Sequence, residues 1–186
     1  TKPTLEDFDF TARRSITKAR VKELYKLDWL KQGRAVLITG PTGVGKTFMS
    51  QALGHHACHH KHTVLFMTFS DYLEHLSIAR SSNTYLKFRQ KISKPDLLIL
   101  DDFGLRKLSG SEAHDFNDLL KERGGDKSIM ITTQLPIDHW SEVIEDPVIA
   151  DTIIDQLIHT AVKINFTKKD ESYRKVSGKN LTSPEA

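Results

Sequence analysis

The sequence predicts an α/β domain of three layers, in which helices cover both faces of a mostly parallel, five-stranded sheet. Three observations predict this fold: five short apolar runs, intervening stretches long enough for crossover helices, and a glycine-rich motif directly after the first run. Runs that lack apolar–polar alternation are typical of strands buried on both faces. The predicted strands are residues 35–39, 63–69, 97–100, 129–133 and 162–166.

Length and composition fit one folded domain with appendages. The chain has 186 residues, 38% of them hydrophobic and 27% charged, which is enough apolar surface for a core without disulfides. The single cysteine, the absence of a signal peptide and the lack of an apolar run of about 20 residues predict a cytoplasmic protein without membrane contact. We expect a linker with a basic helix (residues 1–34), a core (35–175) and a flexible tail (176–186). Because the first residue is threonine, we also expect a fragment or a processed chain.

Basic residues are concentrated near the N-terminus. The chain carries 27 Lys and Arg against 24 Asp and Glu, a net charge of +3, which permits an anionic partner without requiring one. Residues 13–34 hold eight of these basic residues, and their apolar positions recur at helical spacing. Two interpretations of this basic helix stay open. Its charged side is a solvated face over the core, or it contacts DNA phosphates.

A phosphate-binding loop follows the first predicted strand. The segment GPTGVGKT at residues 40–47 satisfies the pattern G-x-x-x-x-G-K-[ST], with a strand before it and a helix after it, which is the context the motif requires. Backbone N–H groups of such a loop and the helix N-terminus bind phosphate oxygens. The predicted nucleotide contacts are Gly40, Pro41, Thr42, Gly43, Val44, Gly45, Lys46, Thr47 and Phe48. Lys46 is expected to reach the β and γ phosphates, and Thr47 to bind Mg²⁺.

Two carboxylates end the third predicted strand, LLIL at residues 97–100. Open α/β sheets bind ligands at the carboxyl ends of their strands, so Asp101 and Asp102 form a Walker B pattern. Asp101 suits the Mg²⁺ shell because hard cations prefer oxygen ligands. Asp102 is the candidate that polarises the attacking water, in a position where many ATPases carry the longer glutamate. A capping or turn-forming pair of acids is the alternative.

The fourth predicted strand also ends in polar residues, and Gln134 follows it. If this strand lies beside the Walker B strand, Gln134 becomes a sensor that orients water or touches the γ phosphate; otherwise it is a surface glutamine before a turn. Arg123 and Arg174 are the arginines predicted to stabilise charge at a nucleotide edge or across a subunit boundary, with surface ion pairs as the alternative.

Other motifs leave further alternatives. Residues 101–104 also match the pattern DxxG, and residues 167–170 match the pattern TKxD. Together these patterns would indicate a GTPase in which Asp170 recognises guanine. The two adjacent acids at positions 101 and 102 and the polar end of the fourth strand favour an ATPase instead. The run HHACHHKH at residues 55–62 has histidines at i, i+4 spacing, but without a second matching pair a solvent-facing helix end is favoured over a metal site. Phe8 and Phe10 either belong to the core or flank an adenine ring.

Five segments in order resemble one family: GPTGVGKT, LLILDDFG, ITTQLPIDHW, EDPVIADTIIDQLIH and DESYRK. The set resembles the IstB-like and DnaC-like ATPases of the AAA+ superfamily, most closely the IstB-like helpers of insertion-sequence transposases, over residues 4–175. The first two segments are generic to P-loop proteins, whereas the third and fourth are specific to this family.

The resemblance implies a three-layer AAA+ core that binds ATP and Mg²⁺ and assembles as a homo-oligomer on duplex DNA. It implies hydrolysis of ATP in concert with a transposase, assistance in target selection, and a further N-terminal helical region. It also implies that Gln134 is the first sensor, Arg174 the second sensor and Arg123 the candidate arginine finger. The chain departs from the family by having Gln134 where asparagine is usual and Gln156 where arginine is usual. A helicase loader and a small-molecule P-loop kinase remain the alternative functions.

Overall fold

The structure, a computed structural model, describes residues 16–159 and 161–167. Its strands are β1 (Val36–Thr39), β2 (Val64–Thr68), β3 (Leu97–Phe103), β4 (Ser128–Thr133) and β5 (Val162–Asn165). Its α-helices are α1 (Lys18–Tyr25), α2 (Asp28–Lys31), α3 (Lys46–His59), α4 (Phe69–Ser81), α5 (Tyr85–Ser93), α6 (Gly110–Arg123) and α7 (Pro147–Ile158), with a 3-10 helix at Ile137–Glu142. All five predicted strands are present.

The five strands form one parallel sheet in the order β2-β3-β4-β1-β5. The predicted α/β class and the parallel sheet are therefore confirmed. In this order β4 separates β1 from β3, and the register pairs Thr39 with both Thr133 and Asn165. The carboxyl ends of β1, β4 and β5 thus lie level at one edge of the sheet, which is where open α/β sheets bind ligands.

Helices cover both faces of the sheet, because alternate residues of its central strands point to opposite sides. On one side Leu37 and Leu98 pack with α4 to α7, and on the other Val36 and Ile99 pack with α1 to α3. The edge strand β5 differs from the prediction of uniform burial. Lys163 and Asn165 are exposed while the residues between and around them are buried, since nothing in the described residues covers the outer side of this strand.

Local sequence signals account for several helix starts. The side chain of Thr68 caps α4 and that of Ser109 caps α6, each in a capping box with the acidic residue three positions later. Asp146 caps α7, where it accepts hydrogen bonds from two backbone N–H groups and precedes a proline in the first turn. These caps determine where α4, α6 and α7 begin.

The predicted basic helix of residues 13–34 is two helices in the described residues, because Leu27 adopts a left-handed conformation with φ 56° between α1 and α2. Both helices pack in the same core as β1 and α3, and the buried Trp29 donates through Nε1 to the carbonyl of Leu24 at 2.9 Å. In the described residues, the predicted boundary at residue 34 between the N-terminal segment and the core therefore lies inside one packed core. Arg13 and Arg14 lie outside the described residues.

Candidate nucleotide-binding site

The loop between β1 and α3 has the backbone that a phosphate cradle requires. Gly40, Gly43 and Gly45 have φ values of 148°, 85° and 100°. A Cβ on Gly40 would lie 2.6 Å from the Cβ of Phe166, so this position is closed to every other residue. Gly45 is the left-handed N-cap of α3, which lets the loop turn directly into the helix. Unpaired N–H groups at a helix start attract anions.

Lys46 holds its ammonium group over this loop. Its Nζ donates to the carbonyl of Pro41 at 2.9 Å, and the residue is 5% exposed. Burial lowers the pKa of Lys46, while the nearby charges of Asp102 and Asp101 act in the opposite direction. A poorly hydrated cation gains more from a charged ligand than a solvated one does, so Lys46 is prepared to exchange the carbonyl for a phosphate oxygen.

The predicted Mg²⁺ residues are in direct contact. Thr47 donates through Oγ1 to Oδ2 of Asp101 at 2.8 Å, and Thr132 donates to Oδ1 of the same carboxylate at 2.5 Å. Asp101 is 3% exposed, so the two hydroxyls stabilise a carboxylate that has little access to water. A hydroxyl and a carboxylate at the end of a phosphate loop are the oxygen donors that Mg²⁺ prefers, and the residues present therefore fit this ion.

Asp102 has an unusual backbone for a strand residue. Its φ of 59° is left-handed and coincides with a break in the register between β3 and β4, where β3 continues past Asp101 to Phe103. The N–H of Asp102 donates to Oγ1 of Thr132 at 3.0 Å. Burial raises the pKa of Asp102, the charge of Asp101 raises it further, and Lys46 lowers it. A carboxylate with a raised pKa beside a phosphate loop is a candidate general base.

Thr132 is a site residue that the sequence reasoning missed. One hydroxyl group contacts both Asp101 and the backbone of Asp102, and the residue is fully buried. The available signal is the run of two threonines before Gln134, which by itself indicates only a polar strand end. The partners of these threonines on β3 can be identified only when β3 and β4 are known to be neighbouring strands.

Gln134 lies opposite the phosphate loop. Oγ1 of Thr42 donates to Oε1 of Gln134 at 2.7 Å. The predicted nearness of Gln134 to the nucleotide residues is thus borne out by the geometry, while its role as a sensor stays a prediction. A cavity of about 290 Å³ is lined by Thr42, Gly43, Gly45, Lys46, Thr47, Phe48, Gln51, Asp102 and Gln134.

The remaining predicted loop residues lie beside this cavity. Gly40 and Pro41 line a second cavity of about 730 Å³, which extends over the ends of β1 and β5 and shares Thr42 and Gln134 with the first. The side chain of Val44 packs in the core with α3, so any contact of this residue with phosphate is through its backbone. The structure therefore brings together the predicted loop, the two aspartates and Gln134.

The structure places Arg123 away from the phosphate loop of its own chain, which rules out a contact with the nucleotide edge there; its predicted role across a subunit boundary stays a prediction. The residue is 2% exposed and lies at the amino end of the sheet, opposite the phosphate loop. Its guanidinium donates to the backbone carbonyls of Ile92, Ser93, Pro95, Asp96 and Ser128. Burial lowers its pKa to about 10, which leaves it charged at neutral pH. Arg123 therefore joins the ends of α5 and α6 to the starts of β3 and β4.

Several other predictions fall outside the described residues, namely those for Arg174, Asp170, Phe8 and Phe10. The histidine run ends α3. His56 bonds through Nε2 to the carbonyl of Tyr25 at 2.9 Å, and its ring lies against that of His60. Within residues 16–159 and 161–167, no group of three or more His, Cys, Asp or Glu side chains is arranged to hold a metal ion.

A phosphate cavity formed by a glycine loop, at the carboxyl edge of a parallel sheet, defines a P-loop nucleotide-binding protein. The sequence narrows this class further. The chain belongs to the family of IstB-like ATP binding proteins, whose sequence profile matches residues 1–180. The predicted resemblance is therefore confirmed, and the family is that of the ATP-binding helpers of insertion sequences.

Individual comparisons agree with this assignment. The chain is 36% identical over 162 residues to the putative insertion sequence ATP-binding protein y4pL of Sinorhizobium fredii, covering 87% of this chain and 66% of that protein. The solved structure of DnaI superposes with a TM-score of 0.75 at 20% identity over 89% of this chain and 92% of that one. Replication initiator DnaA, bound to AMPPCP and single-stranded DNA, superposes at 0.71 and 20% identity, over 99% and 57% of the two chains.

These superpositions confirm the predicted three-layer α/β fold. At such low identity they are informative about the fold alone. The chain spans 66% of the length of the Sinorhizobium protein. None of the helices among the described residues combines the length and the apolar character needed to cross a membrane.

Proposed function

We propose that this protein is an ATP-hydrolysing helper of DNA transposition that assembles as a homo-oligomer on duplex DNA with ATP bound and assists a transposase in target selection. The observation that carries the proposal is the 2.8 Å contact between Thr47 and Asp101. Thr47 lines the phosphate-sized cavity together with Lys46 and Asp102. The insertion-sequence names of its relatives support the transposition role.

Binding of the triphosphate relies on the loop and on Lys46. Backbone N–H groups of residues 42–47 donate to phosphate oxygens, and the ammonium of Lys46 leaves the carbonyl of Pro41 to contact them. Thr47 and Asp101 would hold Mg²⁺, which supplies charge neutralisation between the phosphates when it is bound. Thr132 keeps the carboxylate of Asp101 turned toward Thr47.

In the proposed hydrolysis, Asp102 is the general base that accepts a proton from water. A water molecule gives a proton to the carboxylate of Asp102 while its oxygen bonds to the γ phosphorus; the bond from that phosphorus to the bridging oxygen breaks, and ADP and phosphate are released. Gln134 orients the water or contacts the γ phosphate. The raised pKa of Asp102 makes it a better proton acceptor than an ordinary aspartate.

The Asp102→Asn variant is expected to bind ATP and to lose hydrolysis by about 100-fold or more, because general bases contribute that much. Asparagine keeps the left-handed backbone with little strain. The folded pKa of Asp102 lies above its unfolded value, so its ionisation destabilises the fold as pH rises from the unfolded pKa to the folded pKa. Thermal melts at pH 7 should therefore show a variant at least as stable as the wild type, which excludes unfolding as the cause.

Asp155→Asn is the matched control for this variant, because Asp155 is an exposed acid of α7 that lines neither of the two cavities. It should hydrolyse ATP at the wild-type rate. The Asp102→Asn variant should also remain in its ATP-bound assembly on DNA. Equal hydrolysis by the wild type and Asp102→Asn would remove Asp102 from the proposed step.

A row of lysines on α1 supports the DNA contact. Lys18, Lys22 and Lys26 are exposed and recur at i, i+4 spacing, so they share one side of the helix while Val21 and Leu24 are buried on the other. Like charges at this spacing weaken an isolated helix by a few tenths of a kcal/mol each. A polyanion bound along the row would offset this cost, which is why we assign it to DNA phosphates.

Replacement of Lys18, Lys22 and Lys26 by alanine is expected to weaken binding to duplexes of any sequence. It should also reduce the slope of log affinity against log salt by about 2 to 3, because each phosphate contact contributes roughly 0.9. Fluorescence anisotropy from 50 to 200 mM salt measures this slope. Alanine at Lys61, Lys107 and Lys121, three exposed lysines elsewhere, removes the same charge and should leave the slope close to that of the wild type. Equal changes in both triple variants would contradict the assignment.

The proposed function itself is tested with full-length protein, duplex DNA and ATP. We expect complexes or filaments that form with ATP and not with ADP, together with altered target choice when transposase is added. Failure to form ATP-dependent complexes at moderate salt would overturn the proposal. Copurification with a replicative helicase, without any effect on a transposase, would assign the protein to helicase loading instead.

A further inference from the structure

The hydrogen bond between Thr42 and Gln134 joins the tip of the phosphate loop to the end of β4. Its length is 2.7 Å, and both residues line both the phosphate cavity of about 290 Å³ and the adjoining cavity of about 730 Å³. The contact therefore forms the boundary between the two cavities. It connects two parts of the site that are 92 residues apart in sequence.

The contact depends on the particular side chains at both positions. The side chain of Gln134 is long enough for its amide to reach from the end of β4 to Thr42 in the loop. Thr42 lies between Gly40 and Gly43, whose positive φ values turn the loop toward β4. A threonine at the loop tip and a glutamine after β4 thus complement each other.

In this structure the bond uses the oxygen of the amide. The hydroxyl of Thr42 donates to Oε1 of Gln134, so the amide nitrogen is the group left to donate. Within the described residues, Nε2 of Gln134 has no other hydrogen-bond partner. A donor at the edge of a phosphate cavity complements a phosphate oxygen, whereas Oε1 in its place would repel one.

We propose that Thr42 is a positioning residue that holds the amide of Gln134 as a donor to the γ phosphate, so that the site distinguishes ATP from ADP. This inference rests on the proposed function only in taking ATP as the ligand. Both side chains are exposed, so loss of the hydroxyl changes the order of the amide more than the stability of the fold.

The test replaces Thr42 by valine, which keeps the shape and the β-branching but removes the hydroxyl. Affinities for ADP and for a non-hydrolysable ATP analogue are measured with Mg²⁺ by calorimetry, alongside kcat and KM for ATP. We expect about tenfold weaker binding of the ATP analogue, unchanged ADP affinity and a lower kcat, because one hydrogen bond to the γ phosphate is affected. Thr42→Ser should restore the wild-type values, and Thr152→Val, which removes a helix hydroxyl on α7, should alter none of them.

A double-mutant cycle separates positioning from independent roles. Gln134→Asn alone should resemble Thr42→Val, and the double variant should be no worse than either, because each change breaks the same contact. Additive losses, or a Thr42→Val variant that keeps its preference for ATP over ADP, would overturn the inference. The binding measurements decide it even if the wild type proves not to hydrolyse ATP, an outcome that would instead overturn the proposed hydrolysis.

Discussion

The Lys46→Ala variant is expected to bind ATP at least about 100-fold more weakly than the wild type and to show no measurable hydrolysis. The reason is that the ammonium of Lys46 is the cation of the phosphate cavity and is already poorly hydrated, so that its hydrogen bonds to phosphate carry about 3 kcal/mol. Calorimetric titration with ATP and Mg²⁺ measures the effect.

Lys121→Ala is the control for this variant, because Lys121 is exposed and lies on the last turn of α6, away from the loop. It should bind ATP as the wild type does. A melting temperature of Lys46→Ala within a few degrees of the wild type would show that the fold is kept. Retention of ATP affinity within threefold would contradict the assigned role of Lys46.

The Arg123→Ala variant is expected to lose about 3 to 5 kcal/mol of unfolding free energy, a large share of the stability of a small domain. The guanidinium is buried and donates to carbonyls at the ends of α5, β3 and β4, and these carbonyls would lose a charged partner in a place that water barely reaches. Urea denaturation followed by circular dichroism measures the change.

Arg20→Ala serves as the comparison for this variant. Arg20 pairs with Glu23 at the surface of α1, and an exposed pair of this kind contributes about 0.5 kcal/mol. Arg123→Lys should be destabilised nearly as much as Arg123→Ala, because one ammonium cannot replace a planar group with several donors. An Arg123→Ala variant with wild-type stability but no ATP hydrolysis would support the interpretation of Arg123 as an arginine finger.

The position of Arg123 follows from the topology of the sheet. Residue type alone does not show at which edge of the sheet the helix that carries an arginine ends. In a parallel sheet each crossover helix begins at the carboxyl edge and returns to the amino edge, so a residue shortly before a strand cannot face the phosphate loop. Arg123 precedes β4 by five positions. The predicted strands therefore already place Arg123 away from the phosphate loop of its own chain.

The geometry of Asp102 was not predictable in the same way. Its left-handed backbone follows from a register break against β4, where Thr132 and Thr133 bond to neighbouring groups of β3. Nothing in the run LLILDD distinguishes a strand that stops at Leu100 from one that continues to Phe103. The choice depends on hydroxyl groups about 30 residues later in the chain.

The fold class, the phosphate loop, the two aspartates and the family can be read from the sequence alone, because they depend on patterns within short segments: apolar runs, glycine spacing and residues at strand ends. Which side chains meet depends on the arrangement of the strands in the sheet. The order β2-β3-β4-β1-β5 places Thr132 beside Asp101, Gln134 beside Thr42, and Arg123 at the far edge. Contacts between strands depend on their order and register, which are set by packing of the whole sheet against its helices and are not encoded in any one segment.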